Sequence, residues 1–380
     1  MATGTTRTRK ATGEEAVLHV ALELDDLRWT LTTGTRMGRR PRQRQVRPRD
    51  REAVLRVIGE TKERFGLQAD ARVVSCYEAG REGFWLHRWL VSEGIENRVV
   101  DSASIEVNRR KRRVKADRLD GEKLLRMLIR YEGGEQGVWS VVRVPSEEAE
   151  DARQLHRELT TVKRDRVRVT NRVKGLLAAQ GVRLEIRRGF LEALEGVRLW
   201  NGSSMPEGLK ARLGRAWAQY RWLTERINEL EGERRTLLRT SQAEDVERVR
   251  QLMALDGIGE NSAWVFVTEF FGWREFRNRR EIGALAGLTP TPYQSGATDR
   301  EQGISKAGNR HVRAIVVQIA WGWLKHQPDS ELSRWYNRRF GPGSARVKKI
   351  GIIALSRRLL IELWRYLETG AIPEGATVVA

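Results

Sequence analysis

Residues 16–33 read AVLHVALELDDLRWTLTT. Large apolar side chains recur at every second position on either side of Asp25-Asp26, which predicts two β-strands joined by a short turn. Working outward, RDREAVLRVIGETKERF (49–65) spaces its apolar residues three and four apart and predicts an amphipathic helix. ARVVSCYEAG (71–80) reads as a strand, FWLHRWLVSEG (84–94) as a helix closed by glycine, and NRVVDSASI (97–105) as a further strand. A helix is expected from about Asp117, through EKLLRMLIR, to about Tyr131. Strand hairpin, helix, strand, helix, strand is the pattern of an α/β domain with a mixed or parallel sheet, placed here at 16–146.

The remainder is helical, so the fold class is α/β plus all-α. Ala152, Leu155, Leu159, Val162, Arg166, Val169, Val173 and Leu176 alternate steps of three and four, a seam interrupted by one arginine. Leu209, Leu213, Ala216, Tyr220, Leu223, Ile227, Leu230, Arg234 and Leu237 form a second seam, also with one arginine. An antiparallel coiled-coil hairpin over 147–245 is expected, although pairing between subunits uses the same pattern. Each seam arginine either fixes the register or snorkels out of the seam. The stretch LMALDGIGENSAW (252–264) resembles a helix–hairpin–helix, whose turn at Gly257 and Gly259 either contacts DNA phosphates or simply connects two helices. A long Pro/Gly-rich loop follows, ending in a helix near Asn309, and a loop of that length in a compact domain implies a task. A helical C-terminal domain is placed at 246–370, with a disordered arm at 1–15 and a tail at 371–380.

The chain has 380 residues, 70 Lys+Arg against 50 Asp+Glu, and a net charge of +20. Such an excess of cations points to a polyanionic partner, nucleic acid first, because phosphate neutralisation supplies most non-specific affinity. No apolar run is long enough to span a membrane. One cysteine, Cys76, excludes an intrachain disulfide framework, and it reads as a small buried hydrophobe in a strand. The five histidines lack metal-ligand spacing, and the start of the chain has no signal-peptide core, so the cytoplasm is the expected compartment.

Residues 109–124, RRKRRVKADRLDGEKL, set two acids against the most basic segment of the chain. Asp117 and Asp120 are three apart and share a helix face. Strand periodicity puts Glu23 and Asp25 on one face of the first strand, and Glu78 ends another strand, where ligand sites of open α/β sheets gather. Four carboxylates converging on one point require a cation there. Mg²⁺, or Mn²⁺, suits such oxygen donors, and a pair of such ions can activate and stabilise the oxygens of a phosphodiester exchange. Each acid alone also has an ordinary role: surface decoration for the glutamates, and capping or helix-dipole contacts for the aspartates. The cations Arg109, Arg110, Lys111, Arg112, Arg113 and Lys115 stand ready to bind phosphates beside the acids.

The ordered set of VALEL, YEAG and VKADRLDGEKL, followed by GLTPTPYQSG and GISKAGNRHVR, resembles the DEDD transposases. These are the Piv/MooV-type invertases and related bridge-RNA-guided insertion-sequence recombinases. The resemblance covers about residues 17–330. It implies a ribonuclease H-like N-terminal domain with Glu23, Glu78, Asp117 and Asp120 as catalytic metal ligands, and a C-terminal domain with Ser295 as nucleophile. Gly296 would allow DNA close to the backbone, Ser305 is a second candidate nucleophile, and Lys306, Arg310 and Arg313 would hold phosphates. The departure is at Glu23, where the family more often has aspartate; its longer side chain still ligates Mg²⁺, and Asp25 is an alternative ligand. Also implied are DNA donor and target sites, a structured guide RNA, a dimer or tetramer, and a bacterial cytoplasm or nucleoid. A resolvase-type nuclease that uses the acids alone, and a non-catalytic nucleic-acid-binding derivative, are the other readings of these residues.

Overall fold

The computed structural model describes residues 16–105, 117–295 and 298–379. The expected disordered arm at 1–15, the cations Arg109 to Lys115, and Gly296 lie outside the described residues. The chain divides into two compact units, Met1–Val144 and Pro145–Ala380.

In the first unit the strands are β1 (Leu18–Leu24), β2 (Trp29–Gly34), β3 (Arg42–Val46), β4 (Val73–Glu78) and β5 (Glu96–Val100). They form one sheet in the order β3-β2-β1-β4-β5. The first three are antiparallel neighbours, whereas β4 runs parallel to β1 and β5 parallel to β4. The sheet is therefore mixed. Strand β3 was not expected. Its sequence, RQRQV, offers one apolar residue, and it serves as an edge where polar side chains such as Arg44 meet solvent without cost.

Helices α1 (Arg51–Phe65) and α2 (Trp85–Ser92) cover one sheet face, packing Val54, Ile58, Leu86 and Leu90 on Leu18, Val20, Leu22 and Tyr77. Asp50 caps α1 by accepting from the Ala53 amide, and Gly66 ends it in the left-handed conformation. Helix α3 (Asp117–Glu132) covers the other face, with Leu124, Leu125, Met127 and Leu128 on Ala21, Val74, Cys76 and Val100. Cys76 is fully buried there, and burial pushes its thiol pKa well up, so it is an inert core residue.

The second unit contains α4 (Glu147–Ala178), α5 (Phe190–Glu195), α6 (Glu207–Thr240), α7 (Glu244–Met253), α8 (Glu260–Phe266), α9 (Arg279–Leu285), α10 (Arg310–His326), α11 (Glu331–Phe340) and α12 (Ala345–Thr369). A two-stranded hairpin, β6 (Pro290–Ser295) and β7 (Thr298–Ile304), interrupts them. That hairpin stands within the Pro/Gly-rich stretch expected to be a loop before Asn309. Two prolines in β6 hid it from the sequence pattern, and the register shifts between them, as an isolated ribbon allows.

Helices α4 and α6 pack side by side. Lys163 pairs with Glu231 and Arg172 with Gln219, so one chain ascends as the other descends and the two are antiparallel. Leu159, Val162, Val169, Val173 and Leu177 meet Leu209, Leu213, Ala216, Leu223, Ile227 and Leu230. The stripe departs from the expected seam at its start, where Arg153 and His156, rather than Ala152 and Leu155, are buried. Arg153 lies over the Trp273 ring, 5.1 Å from its centre.

Arg234 does not snorkel. It is 2% exposed, 3.0 Å from Glu260 and over the Trp264 ring. Burial lowers its pKa, the nearby Glu260 and Glu231 opposing that. Because a desolvated arginine recovers little from one partner, Arg234→Met is expected to leave stability within ~1 kcal/mol of wild type. Urea unfolding checks this; a loss above ~2 kcal/mol would show that the ion pair stabilises the helix pair on balance.

Candidate nucleic-acid cleavage and binding sites

Strands β1 and β4 end together: their last paired residues are Leu22 and Tyr77, so Glu23 and Glu78 stand one step beyond on neighbouring strands. Alternation places Glu23 on the face of Ala21 and Glu78 on the face of Cys76, the face that α3 covers. The start of α3 presses on the same face, because a Cβ at Gly121 would overlap the Thr32 hydroxyl, and Thr32 pairs with Ala21. Glu23, Glu78 and Asp120 are thus gathered on one side of one sheet. Glu23 is half-buried, whereas Glu78 and Asp120 are exposed.

Asp117 begins α3 in backbone, and its side chain lies outside what is described. Among the described residues, which leave out that side chain, no three of His, Cys, Asp and Glu stand close enough to hold a metal. The donor chemistry, carboxylates at adjacent strand ends, nevertheless suits a hard cation such as Mg²⁺. Asp25 is different. It has left the strand and accepts a hydrogen bond from the Leu27 amide, shaping the β1–β2 turn.

In the second unit, Ser295 is the last residue of β6, paired in register with Thr298. The segment after β7 is rigidly held. The Ser305 amide donates to the Thr289 carbonyl, Lys306 to Gly287 and Asn309 to Leu285. Lys306 adopts φ 55° and is exposed. Arg313 donates through Nη1 to the Ala286 carbonyl at the end of α9. Gly308 has φ 108°, and a Cβ there would overlap the Leu285 carbonyl. Gly308→Ala therefore meets both backbone strain and a backbone clash, and is expected to cost about 3 kcal/mol. A urea unfolding curve matching wild type would show that the turn relaxes freely.

Asn309 caps α10, accepting from the His311 and Val312 amides, while its Nδ2 donates to the Glu269 carbonyl and carboxylate at 3.1 and 3.3 Å. Glu269 sits in a single π-helical turn, Val267–Phe271, and is 2% exposed. Arg157 reaches it from α4 with two hydrogen bonds, Nε and Nη2, at 2.7 and 2.9 Å. Burial alone would raise the Glu269 pKa, but the Arg157 bonds and charge, with Asn309, outweigh it and hold the carboxyl below its usual range. Beside this pair opens a cavity of about 360 Å³ onto which Arg164, Arg310, His156 and His311 also face.

Sequence reasoning assigned Arg310 to phosphate but missed this polar cluster. One signal existed: His156, Thr160 and Arg164, four apart on α4, form a polar stripe beside the apolar seam. Also missed were Arg36, Arg39, Arg40, Arg42, Arg44, Arg47 and Arg49 around strand β3, visible as a dense arginine run. Arg36, Arg39 and Arg40 border a cavity of about 420 Å³ shared with Arg126 of α3. Arg49 is instead taken by the buried Glu82, through bonds of 3.0 and 3.1 Å.

The glycine turn after α7 is partly occupied by the chain itself. The Asp256 amide donates to Thr377, and Gln327 donates to the Asp256 carbonyl. Gly257, at φ 86°, leaves His326 room against its Cα, and Gly259 caps α8 in open space.

A family profile described as Transposase IS116/IS110/IS902 family matches residues 249–334, spanning the glycine turn, the hairpin, all of α10 and the first turn of α11. A Sinorhizobium fredii protein described as transposase y4rJ is 40% identical over 374 residues, 95% of this chain and 94% of that protein. The Yersinia enterocolitica transposase for insertion sequence element IS1328 is 29% identical over 185 residues, 48% of this chain and 53% of its own. The Coxiella burnetii transposase for IS1111A is 25% identical over 182 residues, 47% and 48% of the two chains. Since the likeness to the Sinorhizobium protein runs through nearly all of both chains, this chain belongs to the IS116/IS110/IS902 family of transposases, proteins of DNA transposition.

Proposed function

We propose that this transposase moves its element by serine recombination. Ser295 Oγ attacks a DNA phosphodiester, forming a serine–phosphate ester as the bond to a deoxyribose oxygen breaks. The released oxygen takes up the proton, and rejoining is the reverse step with an exchanged strand. Bond energy is kept in the ester, so no ATP is required.

The observation that carries this reading is the placement of Ser295 on a short hairpin whose following turn is locked by Gly308 and Asn309, within the matched segment. A nucleophile on a ribbon that leads into a hydrogen-bonded turn, with Lys306 and Arg310 close along the chain, suits in-line attack on a charged phosphate. Glu23, Glu78, Asp117 and Asp120 would hold Mg²⁺ or Mn²⁺, which when bound stabilises charge on the exchanging phosphate oxygens. The five-stranded mixed sheet with α3 on the acid-bearing face supports a ribonuclease H-like reading of the first unit. The antiparallel α4–α6 pair supports a coiled-coil connector. A structured guide RNA and assembly as a dimer or tetramer follow from the resemblance, and the net charge of +20 suits a chain that handles two polyanions. The bacterial cytoplasm or nucleoid is the compartment where such DNA lies.

Purified protein with its co-purified RNA, mixed with supercoiled DNA carrying the element ends, tests the reading. With Mg²⁺ a protease-sensitive, denaturant-resistant protein–DNA adduct is expected, and EDTA is expected to prevent it. Cut DNA with free ends and no attached protein would assign hydrolysis by the acids alone. Binding without cutting would make the chain a non-catalytic derivative.

A further inference from the structure

The cavity between α4 and the start of α10 has the composition of an anion site. Three guanidiniums, Arg157, Arg164 and Arg310, face it against one carboxylate, Glu269, and that carboxylate is already saturated by Arg157 and Asn309. Neither Arg164 nor Arg310 is engaged by any hydrogen bond or ion pair among the described residues, and both are exposed at the cavity mouth. The first turn of the 17-residue helix α10 borders the same space, contributing the positive end of its dipole.

A second, independent feature points to a ligand. His156 is 5% exposed, lines the cavity, and its Nδ1 is buried with no hydrogen-bond partner. Its Nε2 lies 3.4 Å from the Thr160 hydroxyl. With its hydrogen on Nδ1, the ring accepts from Thr160 and has a donor left over. An orphaned buried donor in a polar cavity calls for an acceptor.

We propose that this cavity seats one backbone phosphate of a nucleic-acid strand, gripped by Arg164 and Arg310 at the mouth and by His156 Nδ1–H at the base. The inference rests on the chain's being a DNA transposase and not on the serine chemistry. A phosphodiester fits better than a metal: the site offers donors and cations, and its one carboxylate is already paired. Burial, with the Arg234 charge next, brings the His156 pKa down to about 4, so at neutral pH the ring donates without carrying charge. The seat ties the connector helix to the segment just after the hairpin, since Arg310 follows β7 by six residues. A strand held there is indexed relative to both.

The test is fluorescence anisotropy with a fluorescein-labelled 20-nucleotide DNA and an RNA of the same sequence, titrated at several salt concentrations. Arg164→Ala/Arg310→Ala is expected to weaken binding about tenfold near physiological salt and to reduce the salt slope by about one, the signature of one lost phosphate. Arg183→Ala/Arg188→Ala, which removes the same charge from exposed positions elsewhere, is the control. Thermal unfolding confirms folding, and the single variant Arg164→Gln carries the test if the double variant unfolds. In ¹⁵N-histidine spectra of wild type, the His156 Nδ1 resonance is expected to shift on adding oligonucleotide.

Loss on DNA, on RNA or on both supports the seat and names its strand. Binding unchanged in Arg164→Ala/Arg310→Ala, or weakened equally in the control, overturns it. A His156 shift with inorganic phosphate but with neither oligonucleotide also overturns it, assigning the cavity to a small anion. Binding is read without chemistry, so these outcomes are separate from the adduct assay.

Discussion

Ser295→Ala is expected to abolish the covalent protein–DNA adduct and to lower strand joining at least ~10⁴-fold, because alanine has no oxygen to form the ester. The substitution is gentle to the fold. Residue 295 closes β6 and contributes to the hairpin through backbone pairing with Thr298, which alanine retains. Binding of element ends is therefore expected to survive, and a gel shift beside the denaturing gel separates the two effects. Ser305 is the instructive comparison. Its Oγ is buried without a hydrogen-bond partner, and its amide is tied to Thr289. Ser305 lies beyond the hairpin, on the turn tied to Thr289, and not on the ribbon that presents Ser295, so Ser305→Ala is expected to retain the adduct. Persistence of the adduct in Ser295→Ala with its loss in Ser305→Ala would reverse the assignment of the nucleophile. Persistence in both would remove serine chemistry from these two positions.

The parts legible in the sequence were those whose pattern is local. The β1–β2 hairpin and the start of α3 at Asp117 follow from periodicity alone, because each buries a face of its own against the sheet. Strand β3 was illegible for the opposite reason: an edge strand needs little apolar character, and its arginines mimic a basic loop. The α4 seam was readable where α6 is its partner. It failed at Arg153 and His156, where the neighbours become Trp273, Glu269 and His311, residues more than a hundred positions away. The cluster around Glu269 assembles α4, a π-helical turn and the cap of α10. No spacing rule links residues 157, 269 and 309, and only packing brings them together. Glu269 itself stands in the apolar run WVFVTEFFGW, where an ionisable residue survives burial only because a partner arrives from elsewhere.

That dependence gives a large and pH-dependent stability effect. Arg157→Ala leaves Glu269 in an interior it occupies at 2% exposure, with Asn309 as its remaining hydrogen-bond donor. Removing one member of such a pair costs about 3 kcal/mol at pH 7, chiefly the desolvation of the stranded carboxylate. The pH dependence identifies the cause. In wild type the Glu269 pKa lies below its ordinary value of 4.5, so its contribution is present above that pH and is lost as pH falls through the lowered value. In Arg157→Ala burial is no longer opposed by arginine and the pKa rises above 4.5, so stability is instead lost as pH rises through that range. The gap between variant and wild type should therefore narrow from pH 7 to pH 5. His156, held down to about 4, itself costs stability in both proteins as pH falls below 6.5, and to first order it cancels in the difference. Glu269→Gln removes the stranded charge, so Arg157→Ala/Glu269→Gln is expected to recover most of the loss and to show a coupling of about 2 kcal/mol in a double-mutant cycle. Urea unfolding at both pH values measures all of this. A loss below ~1 kcal/mol for Arg157→Ala, equal at pH 5 and pH 7, would mean that water reaches Glu269 once the guanidinium is gone. Helix α4 would then be held to the C-terminal core by its other contacts, such as Arg153 on Trp273, and the cavity beside it would lack the fixed wall that a phosphate seat requires.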